Sequence, residues 1–537
     1  MPILFSRPSA LSWRAAAALI SLVTLIPLLV VLASFLRPQP EIWQHLIQYV
    51  LPDLLKNTAI LLLGVSCGSV LIGVSLAWLV AVCEFPGRRF FSWALMLPLA
   101  LPAYVSAFAA IGLFDYTGPL QTLMRGYWGD DLKLPAIRST GGVIVVLTLS
   151  LYPYLFLLAR NAFLTQGRRA LEVGQSLGLG PWRGFFKVAL PMARPWLFGG
   201  LLLVLMETLA DFGTVAVFNF DTFTTAIYKA WFGMFSMAAA AQLASILVIF
   251  VLLLAMFEQV LQRNRRYYPS GGSKLERYRL RPVAAWGAAA FAGSVLLLAF
   301  VLPVGQLLVW SYTVFASDFD ARYPSFVWHS VLLSALAAIL VVIAALILNT
   351  TLRRTQDWPT KIAVRLASLG YAIPGSVLAV GIFIPVAWFD QQMLQVFGSQ
   401  SGGNFLRGTI LVMLLAYLAR FLAAGFQPIE SAMQRITRSQ EEAARSMGYG
   451  GWRLFRHLHW GLLRGGMLSA ALLVFVDVMK EMPITLMTRP FGWDTLAVRV
   501  FEMTSEGQWE RAALPALALV LVGLLPVMLL SRQAENH

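Results

Sequence analysis

The sequence predicts an all-α polytopic membrane protein of about twelve transmembrane helices, arranged as two tandem six-helix halves. Hydrophobic residues make up 58% of the 537-residue chain and charged residues only 12%, and the mean hydropathy is +0.72. Apolar stretches long enough to cross a bilayer recur along the whole chain. A polar motif at Glu172 occurs again at Glu442, 270 residues later, which is typical of a duplicated unit.

The apolar stretches can be assigned as spans, six in each half. About 20 apolar residues cross the hydrocarbon core. On this measure the spans lie near 11–36, 57–82, 90–114, 141–160, 196–219 and 238–261, then near 283–310, 329–351, 364–389, 408–427, 466–488 and 511–530. Asn57 corresponds to His329 and Pro102 to Pro374, each at an offset of 272. We therefore expect two six-span halves at 1–261 and 283–537, joined by a basic cytoplasmic linker at 262–282.

The basic residues predict the orientation of the chain. Lys and Arg are concentrated in the loops and tails of one side, which by the positive-inside rule is the cytoplasmic side. Both termini and both polar motifs then lie in the cytoplasm. The apolar run that ends near Leu36 is too long for a signal peptide, so we expect a retained first helix. This topology explains the net charge of +15, and we expect no nucleic-acid partner because no single basic patch is present.

Each polar motif predicts a helix, a tight turn and a second short helix. The first copy runs from Glu172 through Gly178 to Trp182 and closes with Leu190 and Pro191; the second runs from Glu442, Ala443 and Ala444 through Gly448 to Trp452. Good helix formers lead into a glycine, which can adopt the left-handed conformation that ends a helix. Pro181 suits the first position of the following helix. One copy alone could be a surface loop, but two copies in register favour a rigid docking element.

Four acidic residues within predicted spans are also duplicated. Glu207 corresponds to Asp477 and Asp211 to Glu481, again at an offset of 270. The spacing of four residues within each pair predicts that both carboxylates lie on one helical face. Charged groups in a bilayer normally face a bundle interior or a water-filled path, so these residues are candidates for a translocation path and for metal contact. The alternative is a structural polar contact, in which Lys480 neutralises its acidic neighbours.

The sequence offers little for other kinds of chemistry. Cys67 and Cys83 are the only cysteines, so a disulfide framework or a CxxC metal site is not available. His457 and His459 are spaced for different faces of a helix and make a poor metal pair. No phosphate-binding loop of the form GxxxxGK[ST] occurs. We therefore expect a chain that has no ATPase motif or bound cofactor of its own.

The polar motif resembles the EAA loop in the membrane subunits of bacterial ABC importers. That loop reads E-A-A, three residues, G, nine residues and I-x-L-P. The first copy keeps Glu172, Gly178, Leu190 and Pro191, with Val188 in the isoleucine position and Val173-Gly174 for Ala-Ala. The second keeps Glu442, Ala443, Ala444 and Gly448, with Trp460-Gly461 for Leu-Pro. Each loop follows the fourth span of its half, as in that family.

The resemblance extends over nearly the whole chain and is strongest to fused ferric iron importer permeases, which are similar in plan to thiamine, polyamine and sulfate permeases. It implies two permease halves of the type I, MetI-like fold in the bacterial inner membrane. It also implies that the EAA loops dock into two copies of a cytoplasmic ATPase subunit, which binds ATP and Mg. A periplasmic ferric-iron-binding protein would deliver the substrate, and the helix after each loop would line the path.

The substrate remains open on the residues alone. Ferric iron is a hard cation that prefers oxygen ligands, as the four carboxylates would offer, but a polyamine would favour carboxylates equally. Parallel repeats with embedded acids also permit a proton-driven secondary transporter. An enzyme embedded in the membrane is disfavoured because no nucleophile or metal constellation can be argued from the spacing.

Overall fold

The computed structural model describes residues 10–36, 40–129, 135–165, 178–263, 277–319, 322–355, 357–397 and 405–535. The described residues are almost entirely helical, as the apolar composition predicts, because a helix satisfies its own backbone hydrogen bonds within a bilayer. In the first half the helices and strand are α1 Ala10–Ala33, α2 Pro40–His45, α3 Leu51–Val82, β1 Cys83–Glu84, α4 Arg88–Ala94, α5 Ala103–Phe114, α6 Pro119–Trp128, α7 Thr140–Thr165, α8 Pro181–Gly184, α9 Leu190–Ala210, α10 Gly213–Val217, α11 Phe223–Tyr228 and α12 Met237–Arg263.

The second half has a similar series of helices, but its strand precedes the first helix. It contains β2 Tyr278–Arg279, α13 Pro282–Leu296, α14 Leu302–Asp318, α15 Tyr323–Thr355, α16 Trp358–Ala367, α17 Gly375–Phe397, α18 Ile410–Gln434, α19 Arg438–Ser446, α20 Trp452–Leu454, α21 Trp460–Lys480, α22 Pro483–Thr488, α23 Leu496–Ser505 and α24 Trp509–Glu535. Short 3₁₀ turns at Leu97–Ala100 and Ser368–Ala372 and π-helical turns at Phe185–Ala189 and Phe455–His459 join helices at corresponding positions of the two halves. β1 and β2 form a short parallel pair.

The described helices confirm the prediction of about twelve spans. Eleven helices are long and apolar enough to cross a membrane, and the segments Arg88–Ala100 and Ala103–Trp128 form a twelfth candidate that is bent by 94°. The bend falls at Leu101, whose backbone is extended before Pro102. A proline restricts the preceding residue to such conformations, which explains why the predicted span at 90–114 is broken.

The register of the predicted repeat agrees with equivalent contacts in the two halves. Asn57 Nδ2 donates to the carbonyl oxygen of Asp221 at 3.1 Å. Its counterpart His329 places Nδ1 3.2 Å from the carbonyl oxygen of Asp494. In both halves a polar side chain at the start of the second long span therefore holds the loop that precedes a short helix.

The contacts divide the chain into two compact units. Unit 1 contains the described parts of Met1–Gln39, Ile227–Val248 and Ala321–Val498, and unit 2 those of Pro40–Ala226, Ile249–Asp320 and Arg499–His537. Within unit 1, α1 packs on α15, α16, α17 and α18; within unit 2, α14 packs on α5 and α24. The first span of each half thus lies with the central spans of the other half. The compact units differ in this respect from the predicted halves 1–261 and 283–537.

Each unit is built on three mutually packed long helices. In unit 2 these are α3, α7 and α9, and in unit 1 they are α15, α18 and α21. Tyr152 is fully buried on α7, and its hydroxyl donates to the Leu95 carbonyl oxygen at 2.9 Å. Asn349 on α15 donates to the Phe426 carbonyl oxygen on α18 at 3.4 Å. These interior polar groups find partners within the protein, because the bilayer would supply none.

The contact between α1 and α17 in unit 1 depends on a glycine. A Cβ atom added at Gly381 would lie 2.9 Å from the Cα of Pro27 and would also meet the carbonyl group of that residue. Backbone atoms cannot move aside as the end of a flexible side chain can. Gly381 therefore allows α1, which belongs to the first half of the sequence, to approach α17 closely.

We expect Gly381→Ala to lower the free energy of unfolding by about 1–3 kcal/mol, because overpacking a close helix contact costs that much. Gly287→Ala on α13 is the matched control, since a Cβ atom there meets nothing within 4 Å and alanine is the better helix former, so we expect about 0.5–1 kcal/mol of stabilisation. Thermal unfolding of the detergent-purified protein measures both. Equal effects of the two substitutions would contradict the close packing of α1 on α17.

Candidate functional site

The second polar motif forms the helix, turn and short helix that the sequence predicts. Thr437 begins α19 with a capping box: its hydroxyl accepts the backbone N–H of Gln440, whose side chain accepts the N–H of Thr437. This arrangement satisfies two backbone donors that the first turn of a helix leaves unpaired. Glu442 and Ala443 are exposed on α19, whereas Ala444 is buried. The helix therefore presents the start of its motif outward while resting on Ala444.

The glycine of this motif ends α19 as predicted. Gly448 has φ of +85°, a left-handed conformation that is costly for residues with a Cβ atom. The N–H of Tyr449 donates to the Ala444 carbonyl oxygen and the N–H of Gly448 to that of Arg445, both at 3.0 Å. This is the hydrogen-bond pattern of a Schellman motif. The turn is thus fixed by the backbone, and α20 leads from it into α21.

The first polar motif is described only from its glycine onward. Glu172 lies outside the described residues. Gly178 has φ of +79°, so the predicted turn glycine is in the same conformation as Gly448. α8 begins at Pro181, which confirms that residue as the opening position of the next helix. Leu190 and Pro191 then form the first turn of α9.

In unit 2 the second embedded acid lies at a break between helices. α9 ends at Ala210, and Asp211 has an extended backbone, with ψ of 126°. Its Oδ2 accepts the Thr214 hydroxyl at 2.9 Å, and its Oδ1 accepts the Val215 N–H at 3.1 Å. The carbonyl oxygen of Asp211 accepts the Thr224 hydroxyl at 2.7 Å. Asp211 therefore caps the short helix α10 and joins it to the segment that follows.

Unit 1 contains the same arrangement around Glu481. α21 ends at Lys480, and the Glu481 backbone is extended, with ψ of 119°. The buried carboxylate accepts the backbone N–H of Ile484 at 3.0 Å and that of Thr485 at 3.2 Å. The Thr485 hydroxyl lies 2.6 Å from the Tyr417 hydroxyl on α18. Glu481 thus caps α22, as Asp211 caps α10.

The prediction that each acidic pair lies on one helical face is wrong. Glu207 and Asp477 lie in the last turns of α9 and α21, but the helix ends before Asp211 and before Glu481. Pro483 cannot continue α21, because it lacks an N–H and its ring would clash with the carbonyl group four residues earlier. In unit 2 a glycine, the poorest helix former after proline, stands at the matching position 213.

The structure also shows a basic residue that the analysis of the spans overlooked. Arg420 lies inside α18, and its Nη1 donates to the Ile373 carbonyl oxygen at 3.1 Å. Arg420 Nη1 and Glu481 Oε1 would lie 3.0 and 2.5 Å from a Cβ atom on Gly375, so this glycine makes room for both. An arginine ten residues into a span was a signal for such a site, because an arginine in lipid requires partners.

Among the described residues no three His, Cys, Asp or Glu side chains form a group that could hold a metal ion. Lys480 follows Asp477 by three residues on α21, so neutralisation of these acids by Lys480 stays the structural alternative. The role of Glu207, Asp211, Asp477 and Glu481 as a translocation path stays a prediction. Both pairs lie next to a helix break, and in both the second acid accepts a hydrogen bond from the short helix that follows.

Each half of the repeat matches the same known protein family. The family described as binding-protein-dependent transport system inner membrane component matches residues 69–267 and 342–535. The chain belongs to this family. It is therefore a multi-pass permease of the inner membrane, the membrane subunit of an ABC importer, and it works with a periplasmic binding protein and an ATPase.

Relatives of the permease differ in how much of it they match. An Fe(3+)-transport system permease protein of Haemophilus influenzae is 29% identical over 489 residues, 90% of each chain. A ferric transport system permease protein of Actinobacillus pleuropneumoniae is 23% identical over 72% of this chain and 57% of its own. A putative 2-aminoethylphosphonate transport system permease protein of Salmonella typhimurium is 31% identical over 36% of this chain and 66% of its own.

The capping role of Asp211 makes a prediction for stability. Asp211→Ala should lower the free energy of unfolding by about 1–2 kcal/mol, because the first turn of α10 loses its acceptor. Asp211→Asn should retain most of the stability, since the amide oxygen can still accept the Val215 N–H. Thermal unfolding of the purified permease compares the two variants. Equal losses for Ala and Asn would show that the hydrogen bonds of this carboxylate do not hold the helix break.

Proposed function

We propose that this permease moves ferric iron from the periplasm to the cytoplasm. The observation that carries the proposal is the similarity to the Haemophilus influenzae Fe(3+)-transport permease, which extends over 90% of both chains. The phosphonate relative matches about a third of the chain, so it supports the permease fold more than the substrate. A permease with two fused halves and ferric iron as its substrate best explains the match along nearly the full length of the Haemophilus influenzae protein.

The four embedded acids suit a hard cation as substrate. Carboxylate oxygens are preferred by such ions, whereas an anion such as sulfate would call for a basic clamp. Asp211 and Glu481 hold the helix breaks through hydrogen bonds to α10 and α22. We assign to these two residues a structural role, in which they fix the backbone beside the translocation path. Glu207 and Asp477, one helical turn earlier, are then the groups that ferric iron would pass.

The energy for transport comes from a partner subunit in this proposal. Two copies of a cytoplasmic ATPase bind the turns around Gly178 and Gly448, and each copy carries its own ATP and Mg. A periplasmic ferric-iron-binding protein delivers the substrate to the outer face. Both termini of the permease lie in the cytoplasm, and the chain holds no cofactor of its own. The exposed Glu442 and Ala443 and the rigid glycine turn support this docking role.

A permease for another small solute is the second candidate. The phosphonate relative is 31% identical, slightly above the iron relative, over the part that it covers. Thiamine, polyamine and sulfate permeases share the same plan. A proton-driven carrier is a third candidate, since embedded carboxylates could carry protons.

Uptake of radiolabelled ferric iron into proteoliposomes separates these candidates. The permease, reconstituted with its ATPase and a ferric-loaded periplasmic binding protein, should take up iron, and orthovanadate should abolish uptake because ATP hydrolysis drives it. Excess sulfate, 2-aminoethylphosphonate, thiamine or putrescine should not compete. Vanadate-resistant uptake would indicate a proton-driven carrier. Uptake of a competitor in place of iron would overturn the choice of substrate.

The glycine turns should couple ATP hydrolysis to transport. Gly178→Pro and Gly448→Pro should each break a turn, because proline cannot adopt the positive φ that both glycines have. Gly448→Ala should be milder and lower transport per ATP about fivefold, the factor that corresponds to roughly 1 kcal/mol of left-handed strain. Gly450→Ala is the matched control, since no positive φ and no Cβ contact restrict that site. Full coupling in both proline variants would refute the docking assignment.

A further inference from the structure

An arginine ties the second polar turn to the helices of unit 1. Arg353 lies at the end of α15, and all three nitrogens of its guanidinium group have partners. Nη1 donates to the Met433 carbonyl oxygen at 2.7 Å and Nη2 to that of Ile436 at 2.5 Å. Nε lies 2.8 Å from Glu441 Oε1 on α19. Because the two carbonyl groups belong to the end of α18 and its turn, Arg353 holds the junction between α18 and α19.

Glu441 joins a second helix to this junction. Its Oε1 atom lies 3.2 Å from His459 Nε2, and its Oε2 atom lies 3.6 Å from Arg445. The side chains of Glu441 and His459 are each 12% exposed, and that of Arg353 is 22% exposed. Ion pairs on an open surface contribute little. At this degree of burial, removing Arg353 leaves a poorly solvated charge on Glu441.

His459 connects the cluster to the start of α21. His459 is the last residue of the π-helical turn that leads directly into α21. The far end of α21 carries Asp477 and is followed by the capped break at Glu481. A helix of this length is about 30 Å long and stiff. Movement of α19 can therefore reach the embedded acids through Glu441, His459 and α21.

The first half lacks this cluster at the sequence level. Positions corresponding to Arg353, Glu441 and His459 hold Ala81, Leu171 and Ala189, at offsets of 272, 270 and 270. Leu171 lies outside the described residues, whereas Ala81 and Ala189 are buried. All three positions are charged or polar in one half and apolar in the other. Alanine and leucine have no group that could form these contacts, so the first half cannot make the same cluster at these positions.

We propose that Arg353, Glu441 and His459 form a positioning cluster that transmits movement of the second turn to α21. The residues at the corresponding positions of the first half are apolar and cannot form this cluster. The inference rests on the proposed docking of the ATPase at the turns. The inference names the residues that transmit the movement to α21 in the second half. It also predicts that coupling through the second turn is sensitive to the loss of one charged side chain.

The test is Arg353→Ala in the permease reconstituted with its ATPase and binding protein. Substrate transported per ATP hydrolysed should fall about tenfold, the factor expected when a charge-assisted contact is lost. The ATPase should still co-purify, since the exposed face of α19 is unchanged. Arg353→Lys should be intermediate, because a lysine can still pair with Glu441 but cannot also reach both carbonyl groups.

Two further variants make the result specific. Arg354→Ala removes the same charge from the same helix end, where the guanidinium lies 4.7 Å from the Trp13 ring, and should keep coupling within twofold of the unmodified permease. The triple variant Arg353→Ala, Glu441→Leu and His459→Ala installs the residues of the first half. It should recover most of the coupling that Arg353→Ala loses, because no unpaired charge remains.

The outcomes separate this inference from the proposed function. If the unmodified permease neither co-purifies with the ATPase nor transports in response to ATP, the proposed function fails. If it does both, and Arg353→Ala couples as well as Arg354→Ala, the positioning cluster fails alone. A triple variant as uncoupled as Arg353→Ala would likewise overturn the idea that the three positions act as one unit.

Discussion

The permease depends on one physical constraint, that every backbone polar group inside the hydrocarbon must find its partner within the protein. Its helices meet this constraint along their length, but the breaks at Asp211 and Glu481 expose N–H groups of the next short helix. The two acids supply the missing acceptors. The hydrogen bonds stabilise a carboxylate whose burial in lipid would cost free energy. The same hydrogen bonds satisfy backbone N–H groups that the helix break would otherwise leave without an acceptor.

The two halves use this device with different surroundings. Around Glu481 the structure adds Arg420, for which Gly375 leaves space, and Lys480 follows Asp477 by three residues on α21. The corresponding positions in the first half hold Ser150, Ala103 and Ala210. The other end of α21 shows the same contrast at the level of the sequence, because the positions of Arg353, Glu441 and His459 are apolar in the first half. The second half of the repeat thus has charged residues at both ends of α21.

Much of this architecture follows from the sequence. The spans, the repeat at offsets of 270 and 272 and the helix-turn-helix around Gly448 are readable because each depends on local properties: apolar length, spacing and glycine conformation. The prediction that each acidic pair shares one helical face was wrong. Residues four apart lie on the same face only while the helix continues through both. Pro483 was the visible warning in the second half, whereas the break before Phe212 carries only the weaker signal of Gly213.

The sequence by itself determined that the chain is helical, that it has about twelve apolar segments long enough to cross a membrane and that each half carries a glycine turn, because hydrophobic length and local backbone preferences act within a few residues. The tertiary structure decided that α1 packs on α17 and α14 on α5 and α24. It also decided that Arg353 reaches Glu441 and that Arg420 lies against Gly375. These contacts join residues far apart in the chain, and uniformly apolar helices carry no pattern that specifies which neighbour each will meet.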